Sequence, residues 1–286
     1  MPEEKQRIGV VGAGLMGAEI AFVYALAGHP VLLTDRTEAA LAAALQRLDG
    51  IFDKGASRGA YAADVKAATF ARITPTPDRT RLQDRACVIE AVFERADVKA
   101  EVLGELDRIC PADCLIATNT STLPIAVLAA ALSPPRRAHF VGTHYFSPVS
   151  RMPLVGVIPG IETAPATVEA AMALCRGAGK TPIRIKDVAG FAVNRLLHAF
   201  MIEAVRLVEE GVATPEDIDL ACRLGLGHPI GPFALMDATT SSLCLEVQGI
   251  LHDAYGERFR PRPLLKQRVR AGYVGGKGRP GWRSRD

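Results

Sequence analysis

Residues 8–36 read IGVVGAGLMGAEIAFVYALAGHPVLLTDR, and this stretch decides the fold. A short apolar run leads into Gly12, Gly14 and Gly17 with the spacing G-x-G-x-x-G, and the helical stretch that follows closes at Gly28. In such a strand-turn-helix unit the first glycine permits a tight turn, the second lets the backbone approach a pyrophosphate, and the third lets the helix pack closely on the strand. The stretch therefore predicts that a dinucleotide binds at the amino end of this helix.

The residues after the second apolar run indicate which dinucleotide binds. Asp35 lies 23 positions after Gly12, where an acidic side chain accepts hydrogen bonds from the adenosine ribose. A carboxylate there repels a 2'-phosphate, so we predict NAD as the cofactor, whereas the adjacent Arg36 keeps NADP open as an alternative. Because the strand, the helix, the second strand and Asp35 all fall in place, we prefer this interpretation to glycines that serve only helix packing.

Short β-rich apolar runs alternate with Ala- and Leu-rich stretches through the first two thirds of the chain. Continuous Val/Ile/Leu runs separated by helices of ten or more residues are typical of a parallel sheet covered on both faces. We therefore predict an α/β fold that begins with an N-terminal Rossmann-like doubly wound sheet. The predicted strands are residues 7–11, 30–34, 86–91, 115–117, 139–143, 154–158 and 182–186.

After residue 186 the strand signal disappears. Apolar residues then recur at three- and four-residue spacing, which marks one buried helix face, and Thr214 followed by Pro215 has the pattern of a helix start. We predict an all-α C-terminal domain over residues 187–286, following an NAD-binding domain over residues 1–186. The predicted buried face consists of Val193, Leu197, Phe200, Ala204 and Val208.

Composition and charge exclude several classes of protein. The formal net charge is only +3, with 34 Lys and Arg against 31 Asp and Glu, and a nucleic-acid surface needs clustered basic residues. No apolar run approaches the roughly 18 residues of a membrane span. Six cysteines show neither metal spacing nor a disulfide framework. We expect no nucleic-acid, membrane or metal partner, and the acidic amino terminus, unlike a secretory signal, predicts a cytoplasmic protein.

Polar residues follow three of the predicted strands. Glu90 and Glu94 lie at the end of one strand, and Lys99 begins the helix after it. The next strand is followed by Asn119, Thr120 and Ser121, and the one beyond it by His144. Ligands of open parallel sheets bind at the carboxyl ends of strands, so we expect these side chains to converge near the nicotinamide. An imidazole can take a hydroxyl proton near pH 7 while hydride leaves the same carbon, which makes His144 the candidate base.

Each of these candidates also has a structural alternative. A histidine at a strand end is often a satisfied structural residue, although the polar neighbours of His144, including Ser147, suggest a pocket. Ser121 could instead cap a helix that begins near Pro124. Asn194 lies within the amphipathic helical stretch and could bond a neighbouring helix.

Taken together, several motifs resemble the L-3-hydroxyacyl-CoA dehydrogenase family. They run in the family's order and spacing over nearly the whole chain, through GAGLMG, EAVFE, NTSTLPI, THYFSPV, DVAGFAVNRLL, GHPIGPFALMD and the basic tail. The resemblance implies reversible, NAD-dependent oxidation of a 3-hydroxyacyl-CoA to the 3-ketoacyl-CoA. It also implies a homodimer joined through the helical domain.

The resemblance assigns roles to particular residues. It implies that His144 is the catalytic base, that Ser121 holds the substrate oxygen and that Asn194 supports the site. Lys54 and Arg58 are candidates for the CoA phosphates, with Ser147 as a further substrate contact. The predicted cofactor contacts, including two near the nicotinamide ribose and one in the tail, are Gly12, Gly14, Leu15, Met16, Gly17, Asp35, Arg36, Ala91, Glu94, Lys99, Asn119 and Lys277.

One position departs from the family in a way that bears on the chemistry. The family normally pairs its histidine with a glutamate twelve positions later, in a pattern such as P-L-V-E-V-I, whereas residues 153–158 here read PLVGVI. Such a carboxylate fixes the imidazole tautomer and stabilises the imidazolium as it forms, and Gly156 offers none.

Two smaller departures lie in the C-terminal domain. Residues 238–242 read ATTSS where the family often has Gly-Leu-Asp, and the tail reads KGRPGW in place of K-x-G-x-G-F-Y. With Gly156, they leave two alternatives open. The substrate could be another β-hydroxy compound, either an acyl-carrier-protein thioester or a free acid, or the protein could be a catalytically weak paralogue that binds NAD or acyl-CoA.

Overall fold

The computed structural model describes residues 5–283. The first four residues belong to the acidic amino terminus on which the cytoplasmic prediction rests, and they lie outside the described residues, as do the last three of the basic tail. The chain divides into two compact units, the first ending at Asp187 and the second beginning at Val188. Among the helices of residues 5–283, none has the length and apolar character needed to cross a membrane.

The first unit is built on one eight-stranded sheet with the strand order β3-β2-β1-β4-β5-β6-β7-β8. Neighbouring strands are parallel except at one pair, β6 and β7. This arrangement confirms the predicted α/β, doubly wound fold class. The strands are β1 (Ile8–Val11), β2 (Val31–Thr34), β3 (Ile73–Thr76), β4 (Cys87–Glu90), β5 (Leu115–Thr118), β6 (Phe140–Tyr145), β7 (Leu154–Pro159) and β8 (Thr181–Arg184).

Helices follow most of these strands. Helix α1 (Leu15–Leu26) is buried at nine consecutive positions from Gly17 to Ala25, which explains why, apart from Glu19, its sequence is apolar on every side. Phe22 of this helix contacts the rings of Phe52 and Tyr61, which close the core on that side. The remaining helices of the unit are α2 (Glu38–Ala56), α3 (Lys66–Ala71), α4 (Ala96–Ile109), α5 (Ile125–Ala129), α6 (Pro134–Arg137) and α7 (Pro165–Gly177).

The structure corrects the predicted sheet in two respects. Strand β3 was not predicted, because it is a four-residue edge strand that contains Pro75 and buries only its two end residues. Strand β7 runs antiparallel to β6, whereas the sequence predicted parallel strands throughout. Only residues 146–153 join these two strands, and a parallel crossover needs a dozen or more.

The second unit is all-helical, in agreement with the predicted fold class. Thr214 caps α9 as predicted, its side chain accepting a hydrogen bond from the Asp217 amide. The buried face of α8 is shifted from the predicted one: Ala204 is buried, whereas the other four predicted residues are half-buried. The helices are α8 (Val193–Glu209), α9 (Pro215–Gly225), α10 (Pro232–Thr239), α11 (Ser241–Tyr255) and α12 (Pro263–Arg270).

Thr240 joins α10 to α11 inside the segment that departs from the family pattern. Its φ is +93°, a conformation that favours glycine and that a β-branched residue rarely adopts. Its hydroxyl accepts a hydrogen bond from the Leu243 amide and so caps α11. The strain at this residue is therefore partly offset by a helix cap.

Candidate active site

The glycine-rich turn between β1 and α1 has the geometry that its sequence predicts. Gly12 has a φ of +103°, and a Cβ atom there would lie 2.6 Å from the Ala91 carbonyl oxygen. A Cβ on Gly17 would lie 1.9 Å from the Gly12 carbonyl oxygen, so only glycine lets the helix approach the turn this closely. Around Gly14, in contrast, a Cβ would meet nothing within 4 Å. The turn thus leaves open space at the second glycine.

This turn borders a cleft of about 1230 Å³ in the first unit. Helix α1 begins there without a side-chain cap and without an acidic residue in its first turn, so its amide groups present a positive end that suits a phosphate. The opposite wall comes from the segment after β4. The lining includes Gly12, Gly14, Leu15, Met16, Asp35, Arg36, Ala91 and Glu94.

Asp35 lies at the end of β2, beside the turn. One of its carboxylate oxygens accepts a hydrogen bond from the Ala13 amide at 2.6 Å, and the other accepts one from the Arg36 amide at 2.7 Å. Arg47 of α2 donates to the Ala13 carbonyl oxygen at 2.7 Å. The acid is therefore fixed at the rim of the cleft, where a ribose would meet it, and the turn, the helix start and the carboxylate together fit a dinucleotide.

A buried ion pair supports the floor of the site. Lys99 of α4 and Glu90 of β4 have no exposed side-chain surface, and their charged atoms are 2.7 Å apart. Glu90 also accepts hydrogen bonds from the Thr118 hydroxyl at 2.6 Å and from the Val92 amide at 2.7 Å. Both carboxylate oxygens of Glu90 therefore have hydrogen-bond partners. The ion pair and these hydrogen bonds connect the ends of β4 and β5 to α4.

Glu94 holds the loop that carries Ser121. One of its carboxylate oxygens accepts four hydrogen bonds: from the hydroxyl groups of Thr120 and Thr122 at 2.7 and 3.0 Å, and from the amides of Ser121 and Thr122 at 2.7 and 2.8 Å. The other oxygen is 3.5 Å from Lys99 Nζ. Burial alone would raise the pKa of the Glu94 carboxyl, but the Thr120 hydrogen bond, the Lys99 charge and the two amides lower it overall.

Ser121 and His144 are in direct contact at the centre of this arrangement. The distance between Ser121 Oγ and His144 Nε2 is 2.9 Å, and the Phe146 ring packs edge-on against the imidazole at 4.6 Å between centroids. Ser121 does not cap the following helix, whose first residue is Ile125 and whose N-cap is Pro124. Burial lowers the pKa of His144 to about 4, while the Glu94 charge acts to raise it. The imidazole is therefore neutral near pH 7.

Gly156 lies directly opposite His144 on the neighbouring antiparallel strand. A Cβ at position 156 would lie 3.6 Å from His144 Cβ, 3.4 Å from Ile158 Cδ1 and 3.1 Å from Ile185 Cδ1. The position thus borders the histidine on one side and two isoleucine side chains on the other.

Other predicted site residues are placed as follows. Asn119 accepts a hydrogen bond from the Tyr145 amide at 2.9 Å, so its side chain secures the end of β6. Lys54 and Arg58 are exposed around the end of α2, and Ser147 is exposed in the loop after β6. Asn194 and Lys277 belong to the second unit, in the first turn of α8 and on the surface of the tail. Their contacts with cofactor or substrate stay predictions.

The sequence did not single out all the residues that build the site. Thr122 bonds Glu94 through its amide and its hydroxyl, and its place next to Ser121 is a signal that could have found it. Arg47 and Ile185 gave no such signal, because each is far in sequence from the residue it contacts. Among residues 5–283 there is no group of three His, Cys, Asp or Glu side chains that could hold a metal ion.

Comparison with known proteins gives a consistent result. The family model described as 3-hydroxyacyl-CoA dehydrogenase, NAD binding domain, matches residues 7–188, and that of the 3-hydroxyacyl-CoA dehydrogenase C-terminal domain matches residues 190–284. A probable 3-hydroxybutyryl-CoA dehydrogenase of Bacillus subtilis is 39% identical over 275 residues, which cover 96% of this chain and 95% of that protein.

Solved structures extend the comparison. The crystal structure of an (S)-3-hydroxybutyryl-CoA dehydrogenase from Ralstonia eutropha has a TM-score of 0.93 and 36% identity, covering 99% of this chain and 100% of that one. A structure of a diketoreductase that acts on dicarbonyl compounds has a TM-score of 0.84 and 27% identity, covering 98% of this chain and 99% of that one. Similarity therefore extends over both units of the chain.

Proposed function

Because the chain belongs to the 3-hydroxyacyl-CoA dehydrogenase family, whose members are NAD-dependent oxidoreductases, we propose that it reversibly oxidises a 3-hydroxyacyl-CoA to the 3-ketoacyl-CoA. The observation that carries this proposal is the 2.9 Å contact between Ser121 Oγ and His144 Nε2. It offers one substrate oxygen both a hydroxyl group that can donate a hydrogen bond and a nitrogen that can take a proton.

The chemistry assigned to the chain follows from that contact. His144 is neutral near pH 7, so its imidazole can accept the substrate hydroxyl proton without first losing one. Ser121 can donate a hydrogen bond to the same oxygen as it becomes a carbonyl. NAD, when bound, supplies the acceptor for the hydride that leaves the adjacent carbon. In the reverse direction the histidine would have to carry a proton, which its low pKa disfavours.

We assign the two parts of the chain different tasks. In this proposal residues 1–186 bind NAD, with the pyrophosphate at the amides of Leu15 and Met16 and the adenosine ribose at Asp35. For residues 187–286, Asn194 is the proposed residue for the substrate and Lys277 the proposed residue for the cofactor, as the family resemblance implies. The cytoplasm is the proposed location, because the six cysteines are buried and unpaired, as expected of a reducing compartment.

An absorbance assay tests the main proposal. The protein is mixed with NAD and 3-hydroxybutyryl-CoA, and formation of NADH is followed at 340 nm. We expect turnover that falls by about 100- to 10,000-fold in His144→Ala, the usual contribution of a general base. His139→Ala, just before the same strand, is the matched control and should retain activity. Equal rates for the wild type and His144→Ala would contradict the proposal.

A second candidate function keeps the chemistry and changes the substrate. It is favoured by Gly156, which alters the surroundings of the base, and by the similarity to a diketoreductase, which shows that this fold also serves dicarbonyl compounds. A panel of CoA esters, carrier-protein thioesters and free β-hydroxy acids distinguishes the two. If CoA esters are the substrates, charge reversal at Lys54 and Arg58 should raise KM for the CoA ester alone.

A third candidate is a catalytically weak protein that binds NAD or acyl-CoA. Calorimetric binding of NAD by a protein that turns over no member of the panel would favour it. Gly156→Glu combined with Ile185→Ala would then show whether the missing carboxylate is the cause, because the second change makes room for the first.

We also propose a homodimer joined through the helical unit. Apolar side chains of that unit are exposed, including Leu196 at 74%, Leu224 at 77% and Leu226 at 63%. Burying such a surface against a second copy would remove it from water. We expect Leu224→Glu to lower the mass measured by light scattering to that of one chain. Ile161→Glu, at an even more exposed apolar residue of the first unit, should leave the mass unchanged.

A further inference from the structure

Position 156 supplies no charge to the histidine that faces it. The side chain of a residue there would share a sheet face with His144, because directly opposite residues of antiparallel strands point the same way. Glycine stands at this position, and Ile158 and Ile185 border the space beside it. Position 156 therefore provides no side chain that could stabilise a protonated His144.

Glu94 reaches the histidine from the other side, through Ser121. Its carboxylate accepts a hydrogen bond from the Ser121 amide at 2.7 Å, and the hydroxyl oxygen of the same serine is 2.9 Å from His144 Nε2. Three further hydrogen bonds from Thr120 and Thr122 fix the carboxylate on this loop. The connection consists of two hydrogen-bonded contacts and a single intervening residue.

Glu94 supplies the charge that acts on the imidazole. Glu94 is a carboxylate whose charge favours the protonated histidine, and its side chain is 35% exposed. Behind it lie Lys99 and Glu90, whose opposite charges are 2.7 Å apart and largely offset each other. The facing part of β7 contributes Val155, Gly156 and Val157, which carry no charge.

We propose that Glu94 is the positioning residue that takes over the task of the carboxylate replaced by Gly156. Through the Ser121 loop it orients the His144 imidazole, and its charge stabilises the imidazolium that forms when the substrate hydroxyl loses its proton. The role of Glu94 in the reaction rests on the proposed function. Its effect on the His144 imidazole does not, because it is present in the protein without ligands. Glu94 acts through Ser121, so it needs no contact with the reacting atoms.

The direct test is a titration of His144 by nuclear magnetic resonance in the full chain without ligands. Glu94→Gln keeps an acceptor oxygen but removes the charge, and we expect it to lower the ratio of protonated to neutral imidazole about three- to tenfold at a given pH. Glu101→Gln, an exposed acid on α4, is the matched control and should change nothing. His198, whose pKa burial lowers to about 4, serves as an internal reference in the same spectra.

A second measurement uses the unmodified protein and so remains available if Glu94→Gln does not fold. Raising the ionic strength from about 0.01 to 1 M shortens the Debye length from about 30 to 3 Å, which screens a partly exposed carboxylate. We expect the pKa of His144 to fall over this range while that of His198 stays constant. An unchanged His144 pKa in folded Glu94→Gln, or throughout the salt series, would overturn the proposal.

Kinetics separate this proposal from the proposed function. With an active substrate, Glu94→Gln should lower kcat about tenfold or more with a smaller change in KM, and adding Gly156→Glu with Ile185→Ala should recover part of the loss. If no substrate of the panel turns over but the His144 titration responds to Glu94, the proposed reaction fails and the electrostatic role stands. If turnover is normal and the titration does not respond, the opposite holds.

Discussion

His144 and Gly156 are opposite each other on the antiparallel strands β6 and β7. Residues in this relationship usually have Cβ atoms roughly 4.5–5.5 Å apart. A Cβ at position 156 would lie 3.6 Å from the Cβ of His144, which is closer than usual but still ordinary van der Waals contact. A carboxylate could therefore be restored beside the imidazole without changing the register of the strands. What opposes it is the Ile185 side chain, whose Cδ1 atom lies 3.1 Å from the position of that Cβ.

The first prediction concerns this crowding. We expect Gly156→Glu alone to destabilise the protein by about 1–3 kcal/mol, because the new side chain overpacks against Ile185. Combined with Ile185→Ala, the glutamate should fit and should raise the His144 pKa toward its ordinary value of about 6.5. Urea unfolding and histidine titration measure the two effects. Ile185→Ala alone is the control, and an equal loss of stability from Gly156→Glu in the wild type and in Ile185→Ala would contradict the explanation by crowding.

The second prediction is the pH dependence of the oxidation. Because burial lowers the pKa of His144 to about 4, the imidazole of this proposed base is neutral well below pH 7. We expect kcat/KM for the oxidation to show no loss from protonation of this histidine between pH 8 and 6, with the acidic limb near pH 4. Gly156→Glu with Ile185→Ala should move that limb to higher pH. An acidic limb near pH 7 in the wild type would contradict the low pKa of His144 on which this prediction rests.

The third prediction separates two glycines of the same turn. A Cβ on Gly14 meets nothing within 4 Å, so Gly14→Ala should fold with unchanged stability but bind NAD at least tenfold more weakly, since the methyl group occupies space that the pyrophosphate needs. Gly17→Ala should lose both stability and binding, because its Cβ would lie 1.9 Å from the Gly12 carbonyl oxygen. Thermal unfolding with and without NAD measures both. Unchanged NAD affinity in Gly14→Ala would place the cofactor elsewhere.

The fourth prediction concerns His198 and acid stability. Its folded pKa of about 4 lies below the unfolded value of about 6.5, so the unfolded chain binds more protons between these values and stability falls as the pH falls. We expect this residue to remove on the order of 1–2 kcal/mol between pH 7 and 5. The loss should be smaller by that amount in His198→Leu. His228→Leu, at an exposed histidine of the same unit, is the matched control.

The fifth prediction compares two threonine caps. Thr240→Gly relieves a φ of +93° and gives up a side-chain cap, and we expect a net gain of about 1 kcal/mol. Thr214 caps α9 in the same way with a φ of −74°, so Thr214→Gly should yield no gain and lose a few tenths of a kcal/mol. Urea unfolding of both variants tests the difference. A loss of stability in Thr240→Gly would show that its cap outweighs the strain.

The sequence predicted those parts of the fold that depend on local patterns. The glycine spacing, the apolar runs and the threonine-proline start of α9 act over a few residues, and the structure confirms them. Strand β3 was missed because Pro75 and two exposed positions remove the usual strand pattern. The direction of β7 could have been inferred from the length of the loop before it, since residues 146–153 are too few for a crossover.

The candidate site shows the same division. The meeting of Glu94, Ser121 and His144 was predicted from strand order, and their hydrogen bonds confirm that they converge. The resemblance also directed attention to Gly156, where the family pattern has an acid, and the structure places this glycine opposite His144. It could not show that Ile185 lies beside that position, because this contact depends on the packing of β8 and the residue after it against β7.

The burial of the cysteines offers a way to observe the protein opening. All six thiols are buried and unpaired, so a thiol reagent can reach them only when the surrounding structure separates. Two belong to the helical unit and four to the sheet unit, and mass spectrometry can assign each modified cysteine. The rates of modification would therefore report how often each unit opens. They would also show whether bound NAD slows the opening of one unit and leaves that of the other unchanged. The residues concerned are Cys87, Cys110, Cys114 and Cys175 in the first unit and Cys222 and Cys244 in the second.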